Sequence, residues 1–282
     1  MKCKQFALRV LSTAAVVTMV TSIAAPAFAD AYGIATYGTY YVDQGSVTVD
    51  VVDGVHYVTQ KDANGNIVTK DGVRYDHYED KDGEVTITNQ DKDTSTKNTV
   101  TVSSDKDSTG DKSAKVTLDG VNIDTRKDES DFWTEGDAAV KVTGAGDVTV
   151  ELDGKNTLTS GNSNAGLEKN LLESTGKLTI QDEHGAKGSL TATGGVYAAG
   201  IGGGIVGDDN KASTGTSHIS ITGGDITAKG GAFGAGIGGG GFGDGTDITI
   251  TGGDVTAIGG FADKINCGGA GIGGGWGGSA SN

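Results

Sequence analysis

Proline is almost missing from this 282-residue chain, and the single one, Pro26, falls close to the amino terminus. Together with the lack of any Gly-X-Y period, that excludes a collagen-like triple helix in spite of 50 glycines. Cysteine is nearly absent too, with only Cys3 and Cys267. If Cys3 is removed with a leader, no intramolecular disulfide can form, so a stable exported chain must be held together in some other way. Basic residues are few, 22 against 37 acidic ones, and the formal net charge is −15. Binding to nucleic acid or to anionic lipid needs clustered Lys and Arg, so both are excluded as partners. No segment holds the roughly 20 consecutive apolar residues that a spanning helix needs.

The amino terminus carries Lys2, Lys4 and Arg9, then an apolar run from Val10 to Ala25, then the small-residue site Ala27-Phe28-Ala29. This is the pattern of a cleaved signal peptide over residues 1–29, and it implies an extracellular or cell-surface location with no membrane insertion after cleavage. Cleavage removes three basic residues and no acidic ones, which takes the formal charge to −18. Cations, neutral glycans and metal-bridged acidic glycans remain as partners.

What the chain has in abundance is self-similarity. SLTATGGVYAAGIGGG from Ser189, HISITGGDITAKGGAFGAGIGGG from His218 and DITITGGDVTAIGGFADKINCGGAGIGGG from Asp247 align with one another. Ile219 and Ile248 are 29 residues apart, while the AGIGGG elements at Ala199, Ala235 and Ala270 step by 36 and 35. The additional residues fall in two loops, 205–217 and 261–269. Insertions confined to corners are the mark of one turn of a solenoid, in which loops vary and stacked strands do not. Each turn offers short alternating pieces such as Ile248-Thr249-Ile250 and Val255-Thr256-Ala257, with period 2 rather than 3.6. The fold expected is an all-β, right-handed parallel β-helix over residues 84–282. A tyrosine-containing β-rich cap or lead-in is expected over 30–83. The chain ends at Asn282 directly after a glycine-rich repeat, and continuation into a longer modular protein is expected.

Candidate chemistry is sparse. His56, His77, His184 and His218 show no metal-ligand spacing and are read as loop or strand-edge residues. Asp208, Asp209, Asp244 and Asp247 fall in corresponding loops and are the candidate Ca²⁺ ligands, although Asp also favours turns. The segment Gly240 to Thr246 is similar to the calcium-binding nonapeptide of RTX toxins, but Gly245 stands where the liganding Asp belongs. For recognition of sugar faces the candidates are the aromatic residues Trp133, Tyr197, Phe233, Phe242 and Trp276.

The elements TKNTVTVSS from Thr96, AKVTLDGVNID from Ala114, VTVELDGKNTLTSG from Val148 and the GAGIGGG repeats resemble carbohydrate-binding-domain-containing surface proteins of anaerobic Gram-positive bacteria. Those proteins are related to a pectin-binding β-helix family of clostridia. The resemblance covers about two-thirds of the chain, and it implies a right-handed parallel β-helix, an extracellular location, polysaccharide binding and bound Ca²⁺, without catalytic residues. Gly-Ile-Gly-Gly-Gly replaces the Asp-Gly-Ile-type turns of the pectin-binding members, which weakens the metal assignment. A non-catalytic polysaccharide-binding module is therefore the first expectation. A stalk or adhesin segment without a glycan site is the second, and a pectinase-like enzyme with converging carboxylates is the third.

Overall fold

A computed structural model of the chain describes residues 38–81, 83–127, 136–185, 187–204, 215–263 and 266–281. The signal-like segment 1–29, Trp133, Asp208 and Asp209 lie outside the described residues.

From Gly38 onward the alternating segments build three large sheets that the chain visits in rotation, and strands of successive turns pair in parallel within each of them. The first sheet holds Thr39–Tyr41, Val85–Thr88, Ala114–Asp119, Val148–Asp153, Leu178–Gln181, Ile219–Ile221 and Ile248–Ile250. The second holds Asn122–Asp124, Lys155–Thr159, Ser189–Thr193, Asp225–Lys229 and Asp254–Ile258. The third runs from Ser46–Val52 through Val100–Ser104, Val140–Gly144, Leu167–Ser174, Ile201–Gly202 and Ile237–Gly238 to Ile272–Gly273. This is a parallel β-helix, the all-β class expected from the repeats. The pairings Ile219 with Ile248, and Ile201 with Ile237 and Ile272, reproduce the offsets read from the aligned repeats.

Register places like residues in columns. Val85, Val116, Val150, Ile180, Ile221 and Ile250 follow one another up the inner face of the first sheet. Val47, Val100, Val140, Leu167, Ile201, Ile237 and Ile272 do so on the third. Members within the stack are buried, and each contributes about 1.5–3 kcal/mol by leaving water. In the last described turn Ile250 and Ile272 are 37% and 48% exposed. Stability is thus a property of stacking, since one turn alone covers only a thin apolar layer.

Parallel pairing begins at Thr39, ahead of the start at residue 84 read from the glycine-rich repeats. Tyr40 heads the column that continues through Ile87, Leu118 and Leu152, and its hydroxyl donates to Asp80 Oδ2 at 2.8 Å. The remainder of the expected lead-in is an antiparallel excursion. Val55–Lys61 pairs with Ser46–Val52 and with Tyr78–Asp80, adding two strands to one edge of the third sheet. The start was hidden because Thr39–Tyr41 and Ser46–Val52 share the alternation of later strands but none of their glycine pairs.

On the outer face of the second sheet Thr157, Thr191, Thr227 and Thr256 form one unbroken column. The neighbouring column reads Thr159, Thr193, Lys229, Ile258, so only one of the two outward columns stays threonine throughout.

Candidate functional site

Four of the five aromatic residues singled out from the sequence come together at one corner of the helix, following the second sheet. After Ser189–Thr193 the chain passes Gly194-Gly195 and reaches Tyr197; one turn later, after Asp225–Lys229 and Gly230-Gly231, it reaches Phe233. Adjacent strands are about 4.8 Å apart. Side chains at the same place in successive turns should therefore stack at that spacing, and the Tyr197 and Phe233 rings do, with centroids 4.6 Å apart and planes 12° from parallel.

The stack is continued by residues from the glycine corner beyond the third sheet. Trp276 sits 5.6 Å from Phe233, and its backbone N–H donates to the Phe233 carbonyl at 2.8 Å. Phe242 meets Trp276 edge-on at 4.6 Å and donates its own N–H to the Trp276 carbonyl at 2.7 Å. Gly241 is required beside them, because a Cβ there would lie 2.8 Å from the Tyr197 ring. Phe233 is buried, Tyr197 and Trp276 are half-buried, and Phe242 is 64% exposed. The arrangement offers an apolar strip that starts inside the corner and ends in solvent.

The backbone beneath it is strained. Tyr197, Phe233 and Phe242 have φ of 66°, 75° and 65°. This left-handed region is uncommon for bulky residues, and each such residue costs on the order of 1–3 kcal/mol. Ser163, one turn below Tyr197, shares the conformation at φ 71° without the ring. The conformation therefore belongs to the corner turn, and successive turns place their rings on it.

The aspartates behave differently. Asp244 accepts the Ser279 N–H at 2.7 Å, and Asp247 lies 3.3 Å from His218 Nε2; both are exposed. Each has a local role, and the structure gathers neither with further ligands among the described residues. The other two candidate Ca²⁺ ligands, Asp208 and Asp209, lie outside the described residues. The cluster of metal-ligating groups found among the described residues is instead Glu151, Asp153 and His184, on the first sheet. His184 was expected as a solvated loop residue. No sequence spacing announces its partners, because they lie on the preceding turn of the helix.

The Beta helix repeat family matches residues 219–241 and 248–276, which carry Phe233 and Trp276, and Phe242 falls between the two matched segments. No curated protein and no solved structure matches the chain. Fold and matched turns together define a repeat protein of the parallel β-helix class.

Proposed function

We propose that the chain is an exported, non-catalytic module that binds polysaccharide through the aromatic corner of Tyr197, Phe233, Trp276 and Phe242. The observation that carries this reading is the convergence of these four rings from two kinds of corner loop into one strip. Pyranose rings present apolar faces that pack on aromatic surfaces, and neighbouring polar loop atoms can serve the hydroxyls. A rigid rod with ligand groups fixed along its axis suits a repeating polymer, because linked contacts add avidity. The acidic surface favours neutral glycans, or acidic ones bridged by a cation.

Retention of the full chain on a panel of insoluble and acidic polysaccharides, with and without chelator, tests the reading. Binding to at least one polymer is expected, with Phe242→Ala and Trp276→Ala each weakening it roughly tenfold, since one lost aromatic contact is worth about 1–1.5 kcal/mol. Phe242→Ala leaves the fold unchanged because the ring is largely in solvent. Loss on chelation identifies metal-bridged binding. Retention on no polymer leaves a structural stalk, and release of new sugar ends shows an enzyme.

A further inference from the structure

The outer face of the first sheet carries a polar cluster that the polysaccharide reading does not use. Glu151 and Asp153 occupy alternate outward positions of Val148–Asp153. The next strand, Leu178–Gln181, leads into a loop that folds back over them, so that the backbone N–H groups of Glu183 and His184 donate to Glu151 Oε1 at 2.5 and 2.9 Å. The same loop brings His184 Nδ1 to 3.3 Å from Asp153 Oδ2 and 4.0 Å from Glu151 Oε1. One ligand atom from each of the three residues lies within 4.8 Å of the others.

Two features point to a missing partner. Glu151 is 2% exposed, yet its Oε2 has no hydrogen-bond donor, and the buried Oδ1 of Asp153 has none either. A buried carboxylate oxygen left unpaired is costly, and native proteins fill such positions with a donor or a cation. The second feature is how the imidazole is held. His184 Nε2 lies 3.3 Å from Glu84 Oε1, which in turn accepts the Thr117 hydroxyl at 2.8 Å. Glu84 faces that nitrogen from behind, as carboxylates do behind metal-ligating histidines. The other ring nitrogen, Nδ1, is hydrogen-bonded to Asp153 Oδ2 and faces Glu151, so a cation that takes the place of the proton between them meets three ligand atoms.

We propose that Glu151, Asp153 and His184 bind a divalent cation of the zinc class, with Glu84 as the positioning residue for the imidazole. The nitrogen donor argues against Ca²⁺, which prefers an all-oxygen shell of six to eight ligands, and for a borderline ion with few ligands. Bonds of about 2.0–2.2 Å at tetrahedral angles separate ligand atoms by roughly 3.4 Å. The 3.3 Å between His184 Nδ1 and Asp153 Oδ2 already meets this, and a Glu151 oxygen, with Oε1 now 4.0 Å from Nδ1, has to move inward. The His184 side chain is 42% exposed, leaving the solvent side for a water ligand. Bound metal ties the 182–185 loop to the strands that begin at Ala114 and Val148, through Thr117, Glu84 and the two carboxylates, and so clamps adjacent turns. This site is independent of the aromatic corner.

Calorimetric titration of the chelator-treated full chain with ZnCl₂ and with CaCl₂ tests the site. The chain is made without a polyhistidine tag and with Cys3→Ser and Cys267→Ser, so that no thiol competes. One Zn²⁺ per chain is expected, bound at least 100-fold more tightly than Ca²⁺. His184→Ala and Asp153→Asn should each weaken it 100-fold or more, while Glu84→Gln keeps the stoichiometry and weakens it roughly 10–100-fold. ZnCl₂ should also raise the melting temperature of the parent and leave that of His184→Ala unchanged; circular dichroism confirms that the variants fold. Absence of zinc binding, binding retained by folded His184→Ala, or equal affinity for Ca²⁺ overturns the proposal.

Discussion

Gly238→Ala is expected to destabilise the protein by about 4 kcal/mol or more, although it adds one methyl group. Gly238 has φ 138°, and a Cβ built on it would be driven into the carbonyl oxygen of Gly273 on the next turn. Neither neighbour can yield, since Gly202, Gly238 and Gly273 stand in one column at φ 130°, 138° and 126°. The adjacent Gly166, Gly200, Gly236 and Gly271 form a second such column, where a Cβ on Gly236 would come within 2.5 Å of the Ile258 nitrogen and 2.7 Å of the Gly271 oxygen. The GAGIGGG repeat is therefore a packing device. Its isoleucine fills the core while its glycines let the next turn pass close by. Gly65→Ala is the control: φ is 81° there but no atom lies within 4 Å of the added carbon. Only the left-handed backbone penalty of about 1–2 kcal/mol applies. Urea unfolding of both variants should separate them clearly, and equal midpoints would refute the close-approach account.

Lys169→Met should stabilise the protein by about 2 kcal/mol at pH 7. Lys169 is fully buried, and it continues the inner column Val49, Val102, Val142 of the third sheet. Its ammonium donates to the Ser174 carbonyl at 3.1 Å. Burial lowers its pKa from 10.5 to about 8. Below about pH 8 both folded and unfolded chains carry the proton, so the full cost of burying the charge is present, about 3 kcal/mol at 1.36 kcal/mol per pH unit. Between about pH 8 and 10.5 the unfolded chain holds a proton that the folded chain has released, so stability of the parent rises with pH across that window. Methionine removes the charge and loses one hydrogen bond worth about 1 kcal/mol. The gain of the variant should be largest at neutral pH and fade as pH climbs past 10. Denaturant midpoints of both proteins at pH 7 and pH 10.5 decide it, and a destabilised variant at pH 7 would contradict the burial cost.

The contrast between these two sites shows what the sequence made legible. Spacing alone gave the stacking of Ile201, Ile237 and Ile272, because repeated turns preserve residue type at the position that must stay in register. The aromatic candidates were legible for the same reason, Tyr197 and Phe233 standing at one position of two aligned repeats. Lys169 was not, because the run Leu167–Ser174 breaks the apolar alternation and puts a lysine, in register with Val142, at the inward position where a valine would be expected. The Glu151, Asp153 and His184 cluster was hidden by a loop of irregular length. Its one signal was the pair of acidic residues at alternate outward positions of a strand, with a histidine just beyond the equivalent strand of the next turn. Asp244 and Asp247 stand where turn chemistry by itself selects an aspartate, so the sequence pattern alone carries no metal signal there.

Hydroxyl-radical footprinting of the full chain, free and saturated with the polysaccharide that retains it, locates the contact surface most directly. Aromatic side chains report their own exposure, and Phe242 and Trp276 should lose labelling on binding while Tyr57 and Tyr78, at the other end of the helix, stay unchanged. Undiminished labelling of Phe242 and Trp276 in the saturated complex would contradict the assignment of the aromatic corner as the binding platform.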